Sequence, residues 1–315
     1  MKRIHLVFIL IIMSQFVYSQ AYTLKGLKVN GKVKKITHSV YGSNVASDHL
    51  DSLYLYNQNF QFFNEMGFLT IDSFVAYPDK YCKKEIYLYD SLNQLIEIVT
   101  YDKGVKDKKF RKSEVKEYKY DQNGNVIYES HSSDYGGTSI FKSFYNQENK
   151  ITLWQSYYIS NETKRKNVKP KYTIIEYEPK KILNKFYFSD STLNSMWIYE
   201  YENEKKSKNY HYFKSKDSLE LIEKTEFYYE DSTKIKITTW RKMNEDFSLK
   251  EEYIKYFDTN QRLIKEEHYV NGEIATLDEY FYDELGNCIK QATHYIFSEP
   301  DHPEFMYNIY KYEFY

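Results

Sequence analysis

The chain has 315 residues, with 44 basic and 45 acidic side chains, and a mean hydropathy of −0.73. Balanced charge offers no basic face for nucleic acid, and two Cys are too few for a small exported domain held by disulfides. The unusual quantity is aromatic: 36 Tyr and 20 Phe against 10 Gly and 5 Pro, which suits thin, half-exposed sheets.

In chain order, the first segment reads as a signal peptide over residues 1–19. Lys2 and Arg3 precede the apolar run Ile4 to Ile12, and Val17-Tyr18-Ser19 leads to a cut before Gln20. The run is too short to span a bilayer comfortably, which needs about 20 residues. No second apolar run of that length follows, so the reading assigns no transmembrane segment to the mature chain. Residues 20–59 read as N-terminal cap strands. Within them, Leu27 to Ile36 suggests two short strands around the Asn30-Gly31 turn.

From residue 60 to 315 the chain repeats. Its mark is an aromatic residue followed by an acid or Asn: Phe63-Asn64, Tyr89-Asp90, Tyr120-Asp121, Tyr145-Asn146, Tyr177-Glu178, Tyr201-Glu202, Tyr229-Glu230, Phe257-Asp258, Tyr282-Asp283 and Tyr312-Glu313. Two residues before the aromatic stand Tyr87, Tyr118, Ile175, Tyr199, Phe227, Tyr280 and Tyr310, the period-2 alternation of a half-buried strand. Five residues after the polar member stand Leu69, Leu95, Val126, Ile151, Leu183, Ile235, Leu263 and Cys288, with Ser207 breaking the column. A strand ends at the aromatic, the Asp or Asn caps a turn, Gly or Asn takes the positive-φ position, and a second strand follows. Single hairpins cannot bury an apolar side alone, so neighbours must stack. The predicted fold is all-β: tandem antiparallel β-hairpin repeats forming one long coiled or spiral sheet. The structural anchors are Tyr89, Asp90, Tyr120, Asp121, Tyr145, Tyr177, Tyr201, Tyr229, Phe257, Asp258, Tyr282 and Asp283.

The stretches Tyr118-Lys119-Tyr120-Asp121-Gln122-Asn123-Gly124-Asn125-Val126 and Tyr280-Phe281-Tyr282-Asp283-Glu284-Leu285-Gly286-Asn287-Cys288 resemble YD repeats of the RHS type. The resemblance extends over roughly residues 60–315, closely in two or three copies; most copies lack the Gly, and the family's following Arg is absent throughout. It implies an extracellular or secreted protein whose hairpins coil into a spiral sheet. No toxin domain or self-cleaving core motif accompanies it.

Candidate chemistry is sparse. Cys82 and Cys288 lie seven repeats apart, and a bond between them would require the sheet to close on itself. His38, His49, His131, His211, His268, His294 and His302 show no metal-ligand spacing, and Asp301-His302-Pro303-Glu304 reads as a solvated turn. No cofactor is implied. Carboxylates occur everywhere, so a hydrolytic pair has no sequence signal of its own. Trp154, Trp197 and Trp240, with the Tyr rows, could stack on sugar rings if exposed. A transmembrane barrel is set aside because Glu251-Glu252 and Lys265-Glu266-Glu267 charge both faces of mid-chain strands. The reading is therefore an exported, non-catalytic structural or interaction surface, periplasmic, secreted or cell-surface associated in a Gram-negative bacterium. Its partner is an unknown protein or cell-surface glycan. Carbohydrate or cell-wall binding is the alternative and a hydrolase the second alternative.

Overall fold

The computed structural model describes residues 29–43, 53–77, 80–134, 136–160, 169–215, 218–243, 246–296 and 303–315. The signal peptide, His49, and the Asp301-His302 pair lie outside the described residues. The chain forms β1 (Val33–Ser43), β2 (Tyr54–Phe63), β3 (Leu69–Ala76), β4 (Cys82–Tyr89), β5 (Leu95–Lys103), β6 (Arg111–Tyr120), β7 (Val126–Ser133), β8 (Gly137–Tyr145), β9 (Ile151–Ser160) and β10 (Lys171–Glu178). It continues with β11 (Lys181–Tyr187), β12 (Leu193–Glu202), β13 (Lys205–Ser215), β14 (Ser218–Tyr229), β15 (Lys234–Met243), β16 (Asp246–Phe257), β17 (Leu263–Val270), β18 (Glu273–Tyr282), β19 (Cys288–Tyr295) and β20 (Phe305–Phe314). No helix occurs among the described residues. Strands such as Leu193–Glu202, with Trp197, Tyr199 and Tyr201 alternating with Met196, Ile198 and Glu200, are what β-branched and aromatic residues at period 2 dictate.

Every strand pairs antiparallel with the next, so the all-β expectation holds. The open or spiral sheet does not. β1 pairs with β2 on one side, Thr37 opposite Phe60, and with β20 on the other, Thr37 opposite Lys311 and Ser39 opposite Ile309. The twenty strands thus form one closed ring, a barrel without free edges. The resemblance to YD repeats of the RHS type, which implied a spiral, does not carry this topology and is corrected with it.

The seam has no counterpart in the repeat. Val33–Ser43, read from sequence as part of a cap, is β1 and forms both ladders that close the ring. Asn30, just ahead of it, donates its backbone N–H to Asn287 Oδ1 at 2.6 Å and its side-chain amide to the Leu285 carbonyl at 2.8 Å. The two ends of the array are thereby tied together.

The two faces of the wall differ. Ile36, Tyr87, Ile98, Tyr118, Trp154 and Trp197 are buried and share one face by register, whereas Leu88, Phe144, Tyr228 and Phe281 on the other face are exposed. Closing a sheet crowds the side chains on its concave side, so the first face lines the lumen. Within that lining a hydrophobic cluster joins Val33, Ile36, Phe63, Leu69, Tyr87, Leu95, Ile98 and Tyr118 across β1 to β6, beside the seam.

The two rims differ as well. Connections from even to odd strands, such as residues 90–94 and 179–180, are two to five residues long; the others run from two residues at Asn271-Gly272 to ten at 44–53 and 161–170. Val33 and Phe314 face each other at the rim of short turns, so both ends of the described chain lie there. Asn271 and Gly272 both have positive φ, the conformation a two-residue hairpin turn requires.

Ile98 is 1% exposed in the lining, and its neighbour Ile96 is 39% exposed. Ile98→Ala is expected to destabilise the barrel by about 2–5 kcal/mol, and Ile96→Ala by less than about 0.5 kcal/mol. Urea unfolding followed by far-UV circular dichroism measures both.

Candidate functional site

The repeat anchors line the rim of short turns. Tyr89, Tyr120, Tyr145, Tyr229, Phe257 and Tyr282 are the last residues of β4, β6, β8, β14, β16 and β18; Tyr177 and Tyr201 stand one residue before the ends of β10 and β12. In six hairpins the polar residue that follows builds the same five-residue turn. Asp90 Oδ1 accepts from the N–H groups of Leu92 and Gln94 at 2.9 and 2.8 Å. Asp121 does so from Asn123 and Asn125, Asn146 from Glu148 and Lys150, Asp258 from Asn260 and Arg262, and Asn64 from Met66 and Phe68. Asp283 accepts from Asn287. The fourth residue takes positive φ: Gly67, Asn93, Gly124, Asn149, Gln261 and Gly286. The Asp121 carboxyl is held below the usual carboxylate value by the Asn125 side chain and backbone, and Asp258 by the backbone N–H and side chain of Arg262, despite some opposing desolvation.

At each of these six corners the ladder slips by one residue, so that Phe63, Tyr89, Tyr120, Tyr145, Phe257 and Tyr282 stand opposite Leu69, Leu95, Val126, Ile151, Leu263 and Cys288. This bulge keeps aromatic and aliphatic on the lumenal face. Where Glu replaces Asp or Asn, its side chain is one methylene too long to close the ring, and the turns at 179–180, 203–204 and 230–233 are shorter. The residues facing Tyr177 and Tyr201 are consequently Ile182 and Lys206, one position earlier than the Leu183 and Ser207 of the sequence column.

The anchor hydroxyls join one hairpin to the preceding one. Tyr89 donates to the Leu69 carbonyl at 2.8 Å, Tyr120 to Leu95 at 2.7 Å and Tyr145 to Val126 at 2.9 Å. Tyr229 donates to Lys206 at 3.1 Å, Tyr282 to Leu263 at 2.6 Å and Tyr312 to Cys288 at 2.7 Å. Tyr315, next to the seam, donates to the Phe63 carbonyl. These carbonyls flank the bulges, where the backbone ladder is interrupted, so the phenols satisfy groups the slip would otherwise leave short of partners.

The remaining candidates do not converge. Cys82 and Cys288 are free; they sit at opposite rims on β4 and β19. The ring therefore closes without a disulfide between them. Trp154 and Trp197 are buried on the lumenal face of β9 and β12, while Trp240 on β15 faces outward beneath Lys224, whose Nζ lies 5.2 Å from its ring. They make no single exposed row. Among the described residues no group of three His, Cys, Asp or Glu side chains is placed to hold a metal ion.

Two arrangements escape sequence reasoning because both depend on strand partners. His38, His131, His211, His268 and His294 each pack on an aromatic ring of a neighbouring strand, most closely His211 on Trp197 with ring centres 4.0 Å apart. Charged side chains also pair within the wall. Outward on β14 to β17, Lys224 pairs with Glu226, Lys236 and Lys250 with Glu252, and Lys265 with Glu267. On the lumenal face Arg241 bridges Glu223 at 2.8 Å and Glu251 at 2.7 Å.

No family model matches the sequence, and no curated protein matches it. Among solved structures, a crystal structure of a porin-like protein from Bacteroides uniformis is similar over 89% of this chain and 96% of that chain, at 9% identity and a TM-score of 0.37. A crystal structure of TcdB2-TccC3-Cdc42 is similar over 82% of this chain and 22% of that chain, at 10% identity and a TM-score of 0.17. Likenesses this distant assign neither fold nor role.

The barrel itself corrects one partner expectation. The expectation of no transmembrane segment rests on the lack of a second long apolar run and on the charge that Glu251-Glu252 and Lys265-Glu266-Glu267 put on both faces of mid-chain strands. A closed antiparallel ring is one of the two architectures able to cross a bilayer, and it crosses on strands of about 9–11 residues without such a run. No described helix is long and apolar enough to cross a membrane, which says nothing about strands.

Replacing Tyr120 or Tyr282 by Phe deletes one inter-hairpin hydrogen bond and keeps the ring. Each change is expected to lower stability by about 1 kcal/mol. The two sites lie far apart on the ring, so the double variant should show the sum to within about 0.5 kcal/mol in chemical denaturation.

Proposed function

We propose that the chain is an exported barrel of the cell envelope that works as a structural or interaction surface without catalysing a reaction. The observation that supports this most is the destination of its polar side chains. Charged groups on both faces pair with neighbours in the wall, and the anchor carboxylates are committed to their own turns. Catalysis uses groups convergent on a reacting atom, and these groups are spread around a ring instead. Glycan binding through exposed aromatic rows has less support, since Trp154 and Trp197 are buried and Trp240 is covered by Lys224.

A second reading is a barrel of the outer membrane that passes solutes. Its support is the rim asymmetry: turns of at most five residues and both described chain ends on one side, and on the other four connections of seven to ten residues among shorter ones, as in transmembrane β-barrels. An outward ring of Leu88, Phe144, Tyr228 and Phe281 near the short-turn rim agrees with it. The outward ion pairs on β14 to β17 weigh against it, because a Lys at the bilayer midplane costs about 2–4 kcal/mol.

Fractionation of cells producing the full chain tests the first reading. Recovery in the envelope fraction is expected, together with no release of reducing ends from cell-wall or polysaccharide material. Recovery in the cytoplasm, or glycan cleavage, contradicts it. Stepwise conductance on addition to a planar bilayer would establish the second reading in its place.

A further inference from the structure

At the rim of longer connections, the loop from β5 to β6 concentrates positive charge. Residues 102–112 hold Lys103, Lys106, Lys108, Lys109, Arg111 and Lys112 against Asp102 and Asp107, so 6 − 2 gives +4 in a chain of net −1. Both acids are engaged. Asp102 accepts from the Tyr81 hydroxyl at 2.7 Å. Asp107 accepts from the Gly104 N–H at 3.2 Å and pairs with Arg111 at 3.3 Å, while its own N–H closes the turn onto the Gly104 carbonyl at 3.0 Å. Lys103, Lys106, Lys108, Lys109 and Lys112 form no ion pair among the described residues, and Lys80 and Lys84 add charge from the neighbouring β3–β4 connection and β4.

The same loop exposes apolar surface. Val105 is 60% exposed and Phe110 45% exposed, and Lys106, Lys108, Lys109, Arg111 and Lys112 around them are exposed as well. A solvated charge run has no need of a bare Phe. Cations flanking an exposed aromatic and an exposed aliphatic side chain match the boundary between phosphate headgroups and acyl chains, where the charges meet phosphate and the rings leave water. Turns at the opposite rim carry Asp90, Asp121, Asp258 and Asp283, acids where this loop carries cations.

We propose that the β5–β6 loop, with Lys106, Lys108, Lys109 and Lys112 around Val105 and Phe110, docks the barrel on an anionic phospholipid surface. The proposal deepens the envelope reading above. It is tested on purified protein, so its failure leaves the result of cell fractionation untouched.

The test is flotation of protein purified after export with preformed vesicles of neutral phosphatidylcholine, or of phosphatidylcholine with a third phosphatidylglycerol. Binding is expected only to the anionic vesicles and should weaken as salt rises. The variant carrying Lys106→Gln, Lys108→Gln, Lys109→Gln and Lys112→Gln should bind at least about tenfold more weakly. Phe110→Ser should weaken binding and leave its salt dependence in place. Circular dichroism checks that the variants fold; should the fourfold variant fail to fold, Phe110→Ser and the salt series decide alone. Equal binding to both vesicle types, no binding to either, or a folded fourfold variant that binds as the parent does, overturns the proposal. So does displacement from anionic vesicles by a soluble anionic polysaccharide at equal charge, which would assign the loop to a glycan.

Discussion

The wall depends on its corner. At six hairpins an Asp or Asn side chain caps its own turn, at five of them through two backbone N–H groups, one residue takes positive φ, and the ladder slips by one position. A bulge increases local twist and bends the strand that carries it. These six bulges lie on one rim and on strands of the same direction, and further register shifts, as at Thr100/Tyr101 and His268/Tyr269, lie toward the opposite rim. Twenty strands in one flat sheet would be an unusual arrangement; a sheet twisted and bent by repeated bulges has a route to curl until its ends meet. The Tyr hydroxyls bind carbonyls beside those bulges, tying each curl to the hairpin before it.

That arrangement explains which parts of the molecule are legible in the sequence. Strand content is local: alternation of Tyr, Phe and Ile with Lys and Glu fixes it. Turn type is local too. Asp90 or Asn146 closes a ring with its own backbone, and Glu178 or Glu202, longer by one methylene, stands where the turn contracts to two residues. Closure is not local. It rests on pairing between Val33–Ser43 and Phe305–Phe314, segments separated by most of the chain, and no residue in either announces the other. Coiled sheets and closed rings share the same hairpin and differ only in where the last strand finds a partner, so a family resemblance built on the hairpin could not distinguish them.

The same limit applied to function. His211 on Trp197, or Lys236 on Glu252, are neighbours only through the ladder, and the sequence offered them as scattered residues. Once the ladder is known, the charged and aromatic side chains that suggested sites turn out to be partners of one another. At the rim of longer connections, between β5 and β6, cations and an exposed Phe stand together.

The closed seam is the claim on which the rest turns, and cross-linking across it is the most direct measurement. With Cys82 and Cys288 replaced by Ser, the pairs Thr37→Cys with Lys311→Cys, and Ser39→Cys with Ile309→Cys, place new thiols opposite each other on β1 and β20. At least one pair should oxidise to an intramolecular disulfide in the folded protein, seen as a faster-migrating band lost on reduction. Failure of both pairs to cross-link in a protein that is folded and monomeric would mean that the sheet stays open.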